Sequence, residues 1–146
     1  MNIAKILRTE DQWASLALRI PVGIILVAHG AQKLFAWFGG YGLKGTAQFM
    51  ASQGLEPGYL MALLAGSAEF FGGIALIIGL LVRPAAAVSA FTMLVAGIVV
   101  HSSSGLFLSN GGFEFALALF SITLALVFLG GGKLSLDQVL TKKWMQ

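Results

Sequence analysis

Four stretches of this chain, 13–37, 60–81, 84–101 and 113–129, stay apolar over lengths close to the roughly 20 helical residues that cross a hydrocarbon core about 30 Å thick. A backbone in lipid must satisfy its own amides and carbonyls, so such stretches fold as helices. The rest of the composition leaves no other outcome. With 58% of the 146 residues hydrophobic, 10% charged and a mean hydropathy of +0.88, a soluble bundle would lack the polar surface it needs. The expected fold is an all-α membrane protein, a single domain over 1–146 built as a bundle of four transmembrane helices, with a longer outer loop between the first two. The first stretch is too long for a cleavable signal peptide, carries Arg19 and ends without a small-residue cleavage pattern, so it is expected to remain as a span.

Orientation follows from the basic residues. Lys5, Arg8, Arg83, Lys133, Lys142 and Lys143 fall on one side of a four-span arrangement, and Lys33 and Lys44 on the other. Both termini are therefore expected in the cytoplasm. Trp13, Trp37 and Trp144 lie near segment ends, as interfacial anchors do, and Arg19 is close enough to the cytoplasmic end of its span for its side chain to snorkel. The net charge of +3 is thus a topology signal: the partner it implies is a lipid bilayer, and no nucleic acid is expected.

The chain has no cysteine, which excludes disulfides, thiolate metal sites and any redox mechanism without a cofactor or partner. The first loop opens with Gly39-Gly40-Tyr41-Gly42, continues through 46–53 as a short surface helix and closes at Glu56-Pro57-Gly58. Its glycines lack the preceding strand and the following Gly-Lys-Ser/Thr of a phosphate loop. Arg83-Pro84 ends the second span and starts the third, since proline fits a first helical turn. A second outer loop covers 101–112, with Ser102-Ser103-Ser104-Gly105 and Asn110-Gly111-Gly112.

Ionisable residues inside the spans are where chemistry is expected. Arg19, Gly23, Leu26, His29, Gly30 and Lys33 share one stripe at helical spacing, and Glu69 sits among the small residues Ala65, Gly66, Gly72 and Gly73. A charge at the centre of a span costs about 2.5–3.5 kcal/mol, so Lys33 and Glu69 are best tolerated as a pair or beside a hydrated cavity. Counting depth along antiparallel helices brings His29, Lys33, Glu69, His101 and Glu114 into the outer half of the bundle, with Arg19 deeper. Each has a plainer reading. Lys33 and Glu69 can be an ion pair that fixes register, His101 an interfacial residue, and Glu114 a first-turn acid favoured by the helix dipole. The two histidines show no His-x-x-x-His spacing, so no metal or haem site is expected. Ala62-x-x-x-Gly66 and Ala75-x-x-x-Gly79 are small-residue faces suited to a homodimer, although the same pattern serves packing within a bundle.

Taken together, an early arginine in the first span, His29-Gly30-x-x-Lys33, Glu69 with Gly72-Gly73, Gly79-Leu80-x-x-Arg83, Asn110-Gly111-Gly112-x-Glu114 and the closing 130–137 segment Gly-Gly-Gly-Lys-Leu-Ser-Leu-Asp resemble the DoxX family of small four-helix inner-membrane proteins. The resemblance runs from Arg19 to Asp137. It implies a bacterial inner membrane location and a link to thiosulfate:quinone oxidoreduction as a membrane subunit, or to protection against quinone, thiol or oxidative stress. The positions it carries over are Arg19, His29, Lys33, Glu69, Arg83, Asn110, Glu114 and Asp137, with Asp137 as a structural cap past the last span. The expected activity is binding of a quinone or similar small molecule, with a redox partner protein supplying electrons. Lys33 and His29 would meet a quinone carbonyl, Glu69 would hold or accept the proton, and His101, Glu114, Asn110 and Arg19 complete the candidate pocket. A homo-oligomeric transporter coupled through Glu69, and an assembly protein without catalysis, are the competing expectations.

Overall fold

The computed structural model describes residues 12–144, in which every regular element is helical. Lys5 and Arg8, used above for orientation, lie outside the described residues, as does the side chain of Trp144. The main helices are α1 (Trp13–Phe35), α2 (Gly42–Ser52), α3 (Gly58–Ile78), α4 (Val82–Val95), α5 (Glu114–Leu129) and α6 (Leu136–Trp144). The helix begun by α4 continues as a π-helical segment Ala96–His101 and a 3-10 turn Ser102–Ser104. Three helices, Trp13–Phe35, Gly58–Ile78 and Val82–Ser104, are long and apolar enough to cross a membrane, and Glu114–Leu129 is a shorter apolar helix. Its 16 residues rise about 24 Å, short of a full core, yet it runs the length of the bundle back alongside α4.

The segment limits differ from the expected ones for local reasons. The second span ends at Ile78 instead of 81 because Gly79 and Leu81 take left-handed conformations and form the turn into α4. Pro84 falls in the first turn of α4, where its missing N–H is no loss. The surface helix starts at Gly42, four residues before the expected 46, and buries Thr46 and Met50 against the bundle.

The tightest contact is the antiparallel crossing of α1 and α3. Gly23 and Gly30 on α1 meet Gly73 and Gly66 on α3, both pairs seven residues apart. A Cβ added to Gly30 would stand 2.4 Å from the Phe70 amide nitrogen and 2.8 Å from the Gly66 carbonyl, so only glycine lets the backbones approach this closely. The Ala62-x-x-x-Gly66 face is thus spent inside the protomer: Ala62 is fully buried and Gly66 lies against Leu34. Around this seam Val22, Leu26, Leu76, Val82, Leu119 and Leu126 form the apolar core.

One end of the bundle carries the start of α1, the α3–α4 turn and α6; the other carries the two long connections. At the first end Arg19 does not snorkel but is fully buried. Its Nε donates to the Gly131 carbonyl at 3.0 Å, Nη1 to Leu76 at 3.0 Å and to Ile77, and Nη2 to Leu134 at 2.7 Å and Lys133 at 3.2 Å. These are carbonyls at the end of α3 and in the turn before α6, where helical pairing runs out and a low-dielectric setting makes bare oxygens costly. Asp137 does the reverse. Its carboxylate accepts from the Leu81 and Val82 amides at 2.7 and 2.9 Å, so it caps α4, a different helix from its own. Burial raises the Asp137 carboxyl above the ordinary carboxylate range, against the downward pull of those two amides and of Arg19 and Arg83.

Two substitutions test this packing. Gly30→Ala is expected to destabilise the protein by about 1–3 kcal/mol through overpacking, read as a lower unfolding temperature in detergent. Arg19→Lys keeps the charge but cannot reach five carbonyls with a single ammonium, so a loss of at least about 2 kcal/mol is expected in the same assay.

Candidate functional site

The half of the bundle away from Arg19 is built around an ion pair. Lys33, in the last turn of α1, places its Nζ 2.6 Å from Oε2 of Glu69 in the middle of α3. The glycines Gly30 and Gly66 bring the two helices close enough for the side chains to meet. The partners are not equally buried: the Glu69 side chain is 3% exposed and that of Lys33 25%. The lysine also sits where the α1 dipole favours a cation.

The pair forms part of the wall of a cavity of about 600 Å³ between α1, α2, α3 and α4. Most of its lining is apolar, including Met50, Ala65, Ala68, Val88, Phe91 and Val95. Toward the α3–α4 turn, α4 closes on α3 at Gly72, where an added Cβ would lie 2.9 Å from Ser89 Oγ. Away from that contact the two helices leave a wedge, and α2 roofs it with Thr46, Phe49 and Met50.

His101 lines the same cavity because α4 changes its helical repeat. The cavity face of α4 runs through Val88, Thr92, Val95 and Ala96, and a regular α-helix would carry it on to Val99 and Ser103. The π-helical segment Ala96–His101 has a wider turn, and Val100 and His101 take the face instead. Nδ1 of His101 lies 2.8 Å from the Gly111 carbonyl oxygen. A carbonyl only accepts, so Nδ1 carries the hydrogen and Nε2 of the neutral ring is the acceptor.

The other expected site residues are placed elsewhere. The His29 ring stacks at a tilt on Phe115 of α5, with centroids 5.7 Å apart, and does not line the cavity. Glu114 accepts the Leu108 amide through Oε1 at 2.6 Å and so braces the connection between α4 and α5. Asn110 is exposed in the 3-10 turn Leu108–Asn110, and Arg19 is at the opposite end of the bundle. Conversely, Gln32, Tyr41, Thr46 and Thr92 line the cavity without having been singled out in the sequence. Three of them already have partners: Gln32 Nε2 donates to Phe38 O at 3.2 Å, Thr46 Oγ1 to Lys33 O at 3.3 Å and Thr92 Oγ1 to Val88 O at 3.0 Å. The polar chemistry facing the cavity therefore rests on Lys33, Glu69 and His101, together with the Tyr41 hydroxyl. Among the described residues no group of three or more His, Cys, Asp or Glu side chains is arranged to hold a metal ion.

Because Glu69 is the more deeply buried partner, losing its counterion should cost more than the converse. Lys33→Met is expected to destabilise by about 3 kcal/mol or more, and Glu69→Gln by less. The double variant Lys33→Met with Glu69→Gln should lose less than the sum of the two, as thermal unfolding of all four proteins would read out; strict additivity would mean that the pair is uncoupled.

Comparison with known proteins returns one family. The DoxX family model matches residues 14–102. The Bacillus subtilis (strain 168) protein named "Putative oxidoreductase CatD" is 35% identical over 128 residues, covering 88% of this chain and 87% of that protein. "Inner membrane protein YqjF" of Escherichia coli (strain K12) is 31% identical over 129 residues, 88% of this chain and 93% of that protein. No solved structure matches the chain.

Proposed function

The chain belongs to the DoxX family, and on that premise we propose that it binds a quinone or a similar small redox-active molecule, as the membrane-embedded partner of a protein that supplies electrons. The observation that carries this reading is the Lys33–Glu69 pair set in the wall of a largely apolar cavity. A quinone head is a flat apolar ring with oxygens on opposite edges, and it calls for apolar walls with a few well-placed polar groups. The Lys33 ammonium has three donors, and one of them is engaged by Glu69. The others are available to a quinone oxygen. Nε2 of His101 is an acceptor suited to the hydroxyl of the reduced form. Reduction of a quinone takes up two electrons, which come from the partner because this chain has no cysteine, and two protons, for which Glu69 and His101 are the candidate carriers. His29, packed on Phe115, is assigned to the α1–α5 contact.

The wider setting of this proposal is four crossings of the bacterial inner membrane by α1, α3, the α4 helix and α5, with both termini cytoplasmic. Arg83, Lys133, Lys142 and Lys143 at the α6 end support that orientation. The relative named as an inner membrane protein supports the membrane location, and the relative named as an oxidoreductase supports the redox reading.

Titration of the detergent-purified protein with a decyl-tailed benzoquinone tests the site. Wild type is expected to bind, and the charge-free double variant Lys33→Met with Glu69→Gln to bind at least tenfold more weakly, a difference of about 1.4 kcal/mol. Equal binding by the two would remove the ion pair from the site, and no binding by wild type would remove the quinone.

A further inference from the structure

The cavity is closed toward the α3–α4 turn and roofed by α2, and between α3 and α4 its lining includes exposed apolar side chains. Leu64 of α3 and Val88 and Phe91 of α4 line it and are at the same time 55%, 51% and 67% exposed, as are Tyr41 and Phe49 at its α2 end at 86% and 45%. Leu64, Val88 and Phe91 are all apolar. Leu64 lies six residues into α3 and Phe91 nine residues into α4, about 9 and 13 Å from the respective helix starts. Since both helices are long and apolar enough to cross a membrane, that side opens at the level of the lipid chains.

The cavity is also larger than a quinone ring alone requires. A cavity of about 150 Å³ holds a benzene ring, and this one measures about 600 Å³. The polar groups stand back from the opening: Glu69 is all but inaccessible, while the lips carry no hydrogen-bonding side chain.

We propose that the cleft between α3 and α4 is the entrance and the tail-binding subsite for a long-tailed, membrane-dissolved quinone, with the ring at Lys33 and Glu69 and the hydrocarbon tail passing between Leu64 and Phe91 into the bilayer. This rests on the reading of the cavity as a quinone site. It specifies the ligand further. A water-soluble quinone without a tail would leave the cleft to lipid and gain nothing from it, whereas an isoprenoid or alkyl tail buries its first carbons against these lips.

The test uses wild type and Leu64→Trp in lipid nanodiscs, with two benzoquinones of identical ring, one tail-less and one bearing a ten-carbon tail, each affinity normalised to the quinone's concentration in the bilayer. Leu64 is exposed at the lip of the cavity, so an indole at that position occupies the cleft. Wild type is expected to prefer the tailed quinone at least tenfold, and Leu64→Trp to lose that preference. Thermal unfolding of Leu64→Trp at the wild-type temperature shows that the variant is folded. Equal affinities in wild type, or a preference that survives in Leu64→Trp, would overturn the cleft and leave the ring site standing. Failure of both quinones to bind wild type would overturn the ring site and the cleft with it.

Discussion

The guanidinium of Arg19 is the fixed point of this fold. Helix ends leave carbonyls and amides without partners, and in a membrane protein no water is at hand to take them up cheaply. Arg19 gathers the last carbonyls of α3 and those of the turn before α6, while Asp137 takes the first amides of α4. Neighbouring bonds tighten the same end: Ser15 Oγ donates to Gly130 O, Arg83 Nη1 to Val127 O at 2.6 Å, and the Asp137 amide to Gly79 O at 2.9 Å. Every main helix except α2 has a residue in this network. The result is a small bundle whose polar backbone ends are tied off at one side by two oppositely charged side chains that serve the backbone and do not pair directly.

That tied end explains why the other can be hollow. With helix positions fixed near the α3–α4 turn, the glycine seam holds α1 on α3 along its length, and α4 is free to diverge from α3 beyond Gly72. The wedge so formed contains the most deeply buried carboxylate of the spans, the lysine that balances it and a histidine with a defined tautomer. Rigidity and site are thus divided along the bundle axis, the first made of hydrogen bonds to backbone and the second of side chains around an open volume.

Much of this was legible in the residues. Apolar runs gave the helices, because lipid leaves the backbone little choice, and the cost of a buried charge gave the pairing of Lys33 with Glu69. Asp137 was readable as a cap, but not as the cap of a helix more than fifty residues earlier in the chain, since that contact is purely tertiary. Depth counting brought His29 and Glu114 toward the pocket because it fixes height and not azimuth: His29 is at the right level on the wrong side of α1, against Phe115, and Glu114 is turned to the Leu108 amide. His101 reached the cavity only through the π-helical segment, a change of repeat that a 3.6-residue reading does not contain. Arg19 misled in another way. A long cationic side chain near a span end can snorkel to the headgroups or turn inward, and only the arrangement of carbonyls around it decides which.

The contact between Gly72 and Ser89 has mechanical meaning. Ser89 is fully buried, and its hydroxyl has no hydrogen-bond partner among the described residues. The place where α4 leans on α3 is therefore a smooth bearing, a bare hydroxyl against a glycine, with no directional bond to break if one helix tilts on the other. From Ser89 to His101 the arm is about 18 Å long. A tilt of a few degrees at such a fulcrum moves its far end at His101 by an ångström or more, while Phe91, only about 3 Å along the helix from Ser89, and the polar knot around Arg19 stay nearly still.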